Sequence, residues 1–182
     1  MQKNNHQEFL QRYGAIHAPF IRYCSTKAIG WMETEDLAQE AILTTLVNYA
    51  SIEAKEKLLA YMIGIVNNIV FKYLRRGKFR GTWDERILEK LESRTGDPEI
   101  ALDLQYLLKA IKELPKSQAE AIELFELCGL SIKEIATIQE VSAGAVKTRI
   151  SRGRKQLKTM LQEEGNTMTL AQRLAIYTSI LF

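Results

Sequence analysis

The chain has few of the residues on which disulfide, metal and hydrolytic chemistry depend. It contains two cysteines and two histidines among 182 residues. Cys24 and Cys128 lie far apart and belong to no CxxC pair, so neither a disulfide framework nor a zinc site is indicated, and both are expected in the core. HExxH, GxSxG and phosphate-binding glycine loops are also missing from the sequence. We therefore expect a protein that is not an enzyme and uses no cofactor or metal.

Helix breakers and long apolar runs are also scarce. Three prolines and ten glycines interrupt a chain dominated by Leu, Ile, Ala, Glu and Lys, which favours long helices over many short strands. No run approaches the roughly 20 apolar residues needed to cross a bilayer, and residues 1–14 lack the apolar stretch of a signal peptide. The sequence predicts an all-α protein that stays in the cytoplasm without membrane insertion.

Charge of one sign is concentrated in two segments, although the net charge is only +3. Between Ile65 and Trp83 there are five basic residues and no acid, and between Gly144 and Met160 there are six basic residues and no acid. The intervening stretch from Asp84 to Asp103 holds seven acids against three bases. This segregation predicts two separate cationic surfaces.

The N-terminal half shows helical spacing of apolar residues in three stretches. Residues 8–30 predict a helix or a helix pair, with a bend or break at Pro19. Thr34 is expected to cap the next helix, whose apolar stripe begins at Leu37. The third helix, residues 58–76, is apolar on most sides and predicts the centre of the N-terminal core, with Phe71 inside it.

Two small helical domains joined by a flexible linker account for this organisation. We assign residues 1–80 to the first domain, 81–98 to the linker because glycine, proline and mixed charges interrupt its periodicity, and 99–165 to the second domain. Within the linker, a transient helix around Ile87 to Leu91 is an alternative. Residues 166–182 form a C-terminal extension that predicts one short amphipathic helix. That helix either packs on the second domain, docks a regulator, or lacks order.

The second domain contains a predicted helix-turn-helix. Gly129 closes one helix, and Ser131 with Glu134 forms a capping box that begins a short second helix. A tight turn follows at residues 140–141, after which Ser142 caps a longer helix. Its apolar line leaves every base of the 144–160 segment on the outer side, which fits a DNA major groove. The candidates for base contact are Lys147, Thr148, Ser151 and Arg152, and those for phosphate contact are Arg149, Arg154, Lys155 and Lys158.

At this point the sequence resembles the extracytoplasmic-function (ECF) group of bacterial RNA polymerase sigma factors. Residues 114–157, LPKSQAEAIELFELCGLSIKEIATIQEVSAGAVKTRISRGRKQL, look like sigma region 4, which reads the minus-thirty-five element. Residues 33–50, ETEDLAQEAILTTLVNYA, and 60–76, AYMIGIVNNIVFKYLRR, are similar to sigma region 2, which grips the polymerase clamp and melts the minus-ten element. The resemblance implies promoter-specific initiation of transcription.

The resemblance also implies partners and site residues. Core RNA polymerase, promoter DNA and an anti-sigma factor are the expected partners. The implied polymerase-binding residues are Asp36, Leu37, Gln39 and Glu40. The implied DNA-binding residues near the minus-ten element are Asn68, Tyr73, Arg75 and Arg76, where cations and aromatic rings suit separated strands.

The sequence differs from the family pattern in the turn of the helix-turn-helix, and two other functions compete with this interpretation. Gln139 and Glu140 stand where the family has an apolar residue and a glycine, which predicts a strained or differently shaped turn. The alternative function is a helix-turn-helix transcriptional regulator with a helical N-terminal sensing domain, which would need an apolar pocket or dimer face. A purely protein-binding helical adaptor would leave the second basic helix unexplained.

Overall fold

The computed structural model describes residues 2–30, 32–75, 83–163 and 168–181, without the side chains of residues 2–4, 74, 83, 84, 163 and 181. These ranges contain helices and turns and no strand, which confirms the all-α prediction. The helices are α1 (Gln2–Ala28), α2 (Thr34–Asn48), α3 (Leu58–Arg75), α4 (Trp83–Thr95), α5 (Pro98–Glu113), α6 (Lys116–Ile122), α7 (Ile132–Ile138), α8 (Ala143–Glu163) and α9 (Leu170–Leu181).

The chain divides into two compact units, Met1–Arg80 and Gly81–Phe182. Short 3-10 turns at Tyr49–Ser51 and Lys55–Lys57 connect α2 to α3, and a π-helix at Glu123–Leu127 continues α6. Within the described ranges, no helix has both the length and the apolar character needed to span a bilayer.

In the first unit, α1 runs through Pro19 without interruption, so the predicted break was wrong. Proline removes one backbone hydrogen bond from a helix interior. Packing on both sides of the proline outweighs the missing bond, because Phe9, Phe20 and Tyr23 are all buried against α2 and α3. The hydroxyl of Tyr23 also donates to Asn67 Oδ1 on α3 at 2.7 Å.

The start of α2 and the state of the cysteines test two smaller predictions. Glu33 is the N-cap residue of α2 and makes no side-chain cap, so Thr34 is the first helical residue rather than the predicted cap. The acids in the first turn still favour this helix end electrostatically. Cys24 and Cys128 are buried, as predicted, and burial raises the pKa of Cys24 to about 12.

The second unit begins with α4, where a linker was predicted. Ile87 and Leu91 are fully buried, four residues apart on one face of α4, and this helix packs along α5. The linker prediction over residues 81–98 was therefore wrong for residues 83–95. The transient helix considered around Ile87 to Leu91 is instead a full helix over Trp83–Thr95. Asp97 then caps α5 by accepting from the backbone N–H groups of Glu99 and Ile100.

The C-terminal extension forms α9, which packs on α5, the π-helix and α8 of its own unit. Thr169 and Gln172 form a reciprocal capping box at its start, a motif that was not predicted. At its other end, Arg94 Nη1 of α4 donates to the carbonyl oxygen of Ile180 at 2.9 Å. Leu174 and Tyr177 of α9 are buried against the rest of the unit. Of the three alternatives for this segment, packing on the second domain is the one observed.

A buried ion pair fixes α9 on α5. Arg173 Nη2 lies 2.9 Å from Asp103 Oδ1, and both side chains are almost completely excluded from solvent. Burial raises the pKa of Asp103, and the positive charge of Arg173 opposes part of that rise. Desolvation therefore offsets much of the attraction, and the pair specifies position more than it adds stability.

We expect Arg173→Met to lower the free energy of unfolding of the second unit by about 3 to 5 kcal/mol, because it leaves a buried carboxylate without its cation. Adding Asp103→Leu in the same chain should restore most of that stability, since both buried charges are then gone. Urea unfolding of the single and double variants measures both effects. Arg94→Ala is the control, because it removes only a solvent-exposed hydrogen bond from an arginine to α9. It should lower the free energy of unfolding by about 1 kcal/mol or less. A double variant no more stable than Arg173→Met would contradict this account.

Candidate nucleic-acid interface

Local side-chain caps build the helix-turn-helix as the sequence predicts. Gly129 ends the preceding π-helix with a φ of 70°, the left-handed conformation that glycine adopts without strain. Ser131 Oγ accepts from the N–H of Glu134, whose Oε2 accepts from the N–H of Ser131 at 2.8 Å. Ser142 Oγ accepts from the N–H of Ala145 at 3.2 Å and so caps α8. Both helices therefore begin at the predicted residues.

The turn between α7 and α8 is strained at Glu140, in agreement with one of the two predicted outcomes. Glu140 has a φ of 52°, the only positive value for a non-glycine residue in the described ranges. The left-handed conformation costs an ordinary L-residue roughly 1 to 2 kcal/mol. The strain persists because packed helices on both sides fix the turn.

The side chain of Gln139 helps to hold this turn in place, a role that was not predicted. Its Nε2 donates to the Ser117 carbonyl at 3.0 Å and to Glu120 Oε2 at 2.9 Å, both on α6. Its Oε1 accepts from Arg149 Nη1 at 2.8 Å. One amide therefore joins α6, the turn and α8. Only its position at a helix C-terminus was visible in the sequence.

A narrow buried line holds α8 against the other helices. Val146, Ile150, Leu157 and Leu161 are buried along it. Gly153 lies in the same line where α8 approaches α6, and a Cβ atom there would meet Ile122 Cγ1 at 3.0 Å. Without a side chain at this position the two helices approach closely, which fixes the rotation of α8 about its axis.

The opposite side of α8 is an exposed polar ridge. Its members are exposed and form no ion pair with any residue that the structure describes: Lys147, Thr148, Ser151, Arg152 and Lys155. Thr148 Oγ1 donates to the Gly144 carbonyl of its own helix at 3.0 Å. We use "α8 ridge" for these five residues below. Lys158 is exposed near its C-terminal end.

The two remaining predicted cations flank the α8 ridge and contact protein. Arg149 is half-buried, and its guanidinium donates a hydrogen bond to Gln139. Arg154 forms an ion pair with Glu126 of the π-helix, and its guanidinium lies 5.4 Å from the ring centre of Phe125. Their contacts differ, because Arg149 meets a neutral amide and Arg154 a carboxylate.

In the first unit, α3 exposes a face of polar, aromatic and basic residues. Asn68 and Arg75 are exposed on this face, seven residues apart. Phe71, predicted in the core, is 60% exposed on it, so that prediction was wrong. Tyr61 is partly exposed on the same face and was missed, since an aromatic residue in an apolar helix reads as core. Tyr73 is exposed on another side of α3, and Arg76 lies outside the described residues.

The outer face of α2 carries three of its four predicted polymerase-binding residues. Asp36, Gln39 and Glu40 are exposed. Leu37 is fully buried in the core of the unit, so its side chain does not reach this face and its assignment was wrong. At 100° per residue, positions 36, 39 and 40 lie on the side of α2 away from the buried Ala38 and Thr45.

Two exposed apolar residues continue that outer face of α2. Leu43 is 62% exposed and Val47 is 83% exposed. Val47 also lines a groove of about 720 Å³ between α1 and α2, to which Leu10 contributes. An exposed apolar surface edged by polar residues is typical of a protein-binding site. We call Asp36, Gln39, Glu40, Leu43 and Val47 the "α2 face".

The helix-turn-helix matches a known family. The model described as "Sigma-70, region 4" matches residues 104–157, from within α5 to the middle of α8. ECF RNA polymerase sigma factor EcfG of Rhodopseudomonas palustris is 29% identical over 132 residues, which cover 72% of this chain and 72% of that protein. ECF RNA polymerase sigma factor SigW of Bacillus subtilis is 29% identical over 143 residues, covering 72% and 76%. Over about 70% of its length the chain is therefore similar to ECF sigma factors.

Two solved structures are similar to this chain. The sigma factor RpoE from Bartonella quintana, solved with the anti-sigma factor NepR, gives a TM-score of 0.53 at 25% identity and covers 88% of this chain and 98% of its own. CnrH, solved with the cytosolic domain of CnrY, gives a TM-score of 0.59 at 18% identity and covers 90% and 93%. The second likeness concerns the fold alone.

We expect Glu140→Gly to raise the free energy of unfolding of the second unit by about 1 kcal/mol, because glycine adopts a positive φ without strain. Glu140→Ala is the matched control and should bring no such gain, since alanine keeps a Cβ atom. Denaturant unfolding of both variants measures the difference. Equal stabilities for the two variants would show that the backbone at residue 140 is not strained.

Proposed function

We propose that this chain is an ECF sigma factor, which binds core RNA polymerase and directs it to specific promoters, acting in the cytoplasm by binding rather than by catalysis. One observation carries the proposal. The residues that match sigma-70 region 4 form a capped helix-turn-helix whose second helix exposes the α8 ridge. Cations without carboxylate partners are free to neutralise phosphate, and the adjoining hydroxyl groups can reach base edges.

The α8 ridge reads the minus-thirty-five element in this proposal. Lys147, Thr148, Ser151 and Arg152 stand in the first half of α8 and approach base edges in the major groove. Arg149, Arg154, Lys155 and Lys158 contact phosphates. Gln139 helps to aim Arg149, since its amide oxygen holds one nitrogen of the guanidinium.

The exposed face of α3 holds the minus-ten element. Rings stack on unpaired bases and cations neutralise the strand backbone, so Phe71 and Tyr61 add to the surface implied by Asn68, Tyr73, Arg75 and Arg76. Exposure of an apolar ring is otherwise unfavourable in a small helical unit. A single-stranded partner gives that exposure a function.

The α2 face binds the clamp of core RNA polymerase. Leu43 and Val47 supply apolar area at its centre, and Asp36, Gln39 and Glu40 supply polar contacts at its edge. Leu37 has an indirect role, because its burial orients α2 so that this face points outwards.

An anti-sigma factor is the second protein partner in this proposal. RpoE of Bartonella quintana was solved with an anti-sigma factor and CnrH with the cytosolic domain of CnrY. A partner that covers the α2 face would compete directly with polymerase and so hold the sigma factor inactive.

The central test is binding to core RNA polymerase followed by run-off transcription from genomic fragments. The wild-type chain should bind core and support initiation from a subset of fragments. Leu43→Glu with Val47→Glu should weaken core binding at least about tenfold, because it places two charges in an apolar contact. Leu102→Glu alters an exposed leucine of the second unit and is the control. Failure of the wild type to bind core would favour a helix-turn-helix regulator instead.

A second test addresses the α8 ridge on the promoters so found. Arg152→Ala with Lys155→Ala should reduce the slope of log affinity against log salt by about 0.9 for every phosphate that the variant no longer neutralises, while core binding stays unchanged. The charge-conserving pair Arg152→Lys with Lys155→Arg should keep the slope and weaken promoter discrimination, since lysine lacks the planar fork of arginine. An unaltered slope in the alanine variant would place the DNA elsewhere.

A further inference from the structure

One cation of the DNA-reading helix, Arg154, already forms an ion pair with a carboxylate of its own unit. Nε of Arg154 donates a hydrogen bond to Glu126 Oε1, and Nη2 lies 2.5 Å from the same oxygen in an ion pair. The Glu126 side chain is 16% exposed and that of Arg154 is 48% exposed. The pair therefore reaches solvent mainly through its arginine, at the edge of the α8 ridge.

The π-helix supplies the carboxylate. Its wide turn is closed by a bond from the N–H of Cys128 to the carbonyl of Glu123 at 3.0 Å. Two consecutive residues of this turn, Phe125 and Glu126, contact the guanidinium of Arg154. Single π-helical turns inside α-helices often lie at functional sites.

The protein shields most of the Glu126 carboxylate from solvent, since its side chain is only 16% exposed. Glu126 and Arg154 line a cavity of about 650 Å³, together with Leu170 and Leu174 of α9. A half-buried carboxylate is screened less by water than an exposed one, so it holds a guanidinium more strongly.

Arg149 provides an internal comparison. It also flanks the α8 ridge and is also held by a side chain, but its partner is the neutral amide of Gln139. Arg149 keeps its whole charge available to phosphate, whereas the charges of Arg154 and Glu126 cancel. The two arginines are therefore not equivalent towards DNA.

We propose that Glu126 occupies the phosphate-binding fork of Arg154 and so withholds this cation from DNA, which lowers the electrostatic affinity of the reading helix. A carboxylate and a phosphate use the same donors of the guanidinium, and the two compete. This inference rests on the proposed function of the α8 ridge and revises the phosphate-binding role given to Arg154.

The test measures binding of the full chain to a random-sequence DNA duplex at several salt concentrations. Glu126→Gln keeps the shape of the side chain and removes its charge. It should steepen the salt slope by about 0.9 and raise affinity up to about eightfold at 0.1 M salt. Arg154→Ala alone should leave the slope within about 0.3 of wild type, because the cation is already neutralised.

Two controls separate this effect from the removal of any negative charge. Glu140→Gln removes an exposed acid that has no ion pair among the described residues, and it should shift affinity much less than Glu126→Gln. Combining Glu126→Gln with Arg154→Ala should return the slope to that of wild type, since the released cation is then missing.

The slope of Lys155→Ala separates failure of this inference from failure of the proposed function. If Lys155→Ala lowers the slope while Arg154→Ala lowers it equally, Arg154 already contacts DNA and the inference about Glu126 is overturned. If Lys155→Ala and Glu126→Gln both leave the slope unchanged, the α8 ridge does not bind DNA, and the inference is overturned together with that part of the proposed function.

Discussion

The close packing of α8 on α6 is the constraint on which the DNA-reading surface depends. Val146, Ile150, Gly153 and Leu157 form a buried line too narrow to admit a charged residue. Because Gly153 lets Ile122 approach to contact distance, rotation of α8 by even one residue would put a side chain into that contact. Every other side chain of α8 is then fixed in direction, and the cations face outwards as a consequence of apolar burial.

Hydrogen bonds around this contact refine the direction of individual cations. Gln139 secures the turn to α6 and holds Arg149, and Glu126 holds Arg154. The ridge between these two arginines has no such restraints, so its lysines keep their side-chain freedom. A reading helix with an adaptable centre is suited to base contacts there, while Arg149 at one edge keeps its charge available to phosphate.

Much of this arrangement could be predicted from local sequence signals. The capping box at Ser131, the serine cap at Ser142 and the apolar spacing after it are short-range features, and each of them folds as expected. The fold class followed from composition. Charge counting found all the basic residues of α8 but not their partners, since Glu126 and Gln139 meet them only after α6, the π-helix and α8 have packed.

The errors in the sequence predictions also have a common physical origin. Phe71 and Leu37 were assigned by residue type or by family position, and both depend on which way a helix is rotated in its unit. For α4, two buried residues outweigh a mostly charged helix, because burial of Ile87 and Leu91 against α5 supplies what intrinsic propensity does not.

The ion pair between α5 and α9 also bears on the order in which the second unit forms. Asp103 precedes the whole helix-turn-helix in the chain, and Arg173 follows it. Closing this pair therefore encloses the DNA-reading motif in one long loop, at an entropic cost that grows slowly with loop length. During synthesis, the motif emerges before the arginine that completes its core. The DNA-reading surface therefore reaches its final packing late in folding, only after α9 has been synthesised, although α9 is not part of the helix-turn-helix.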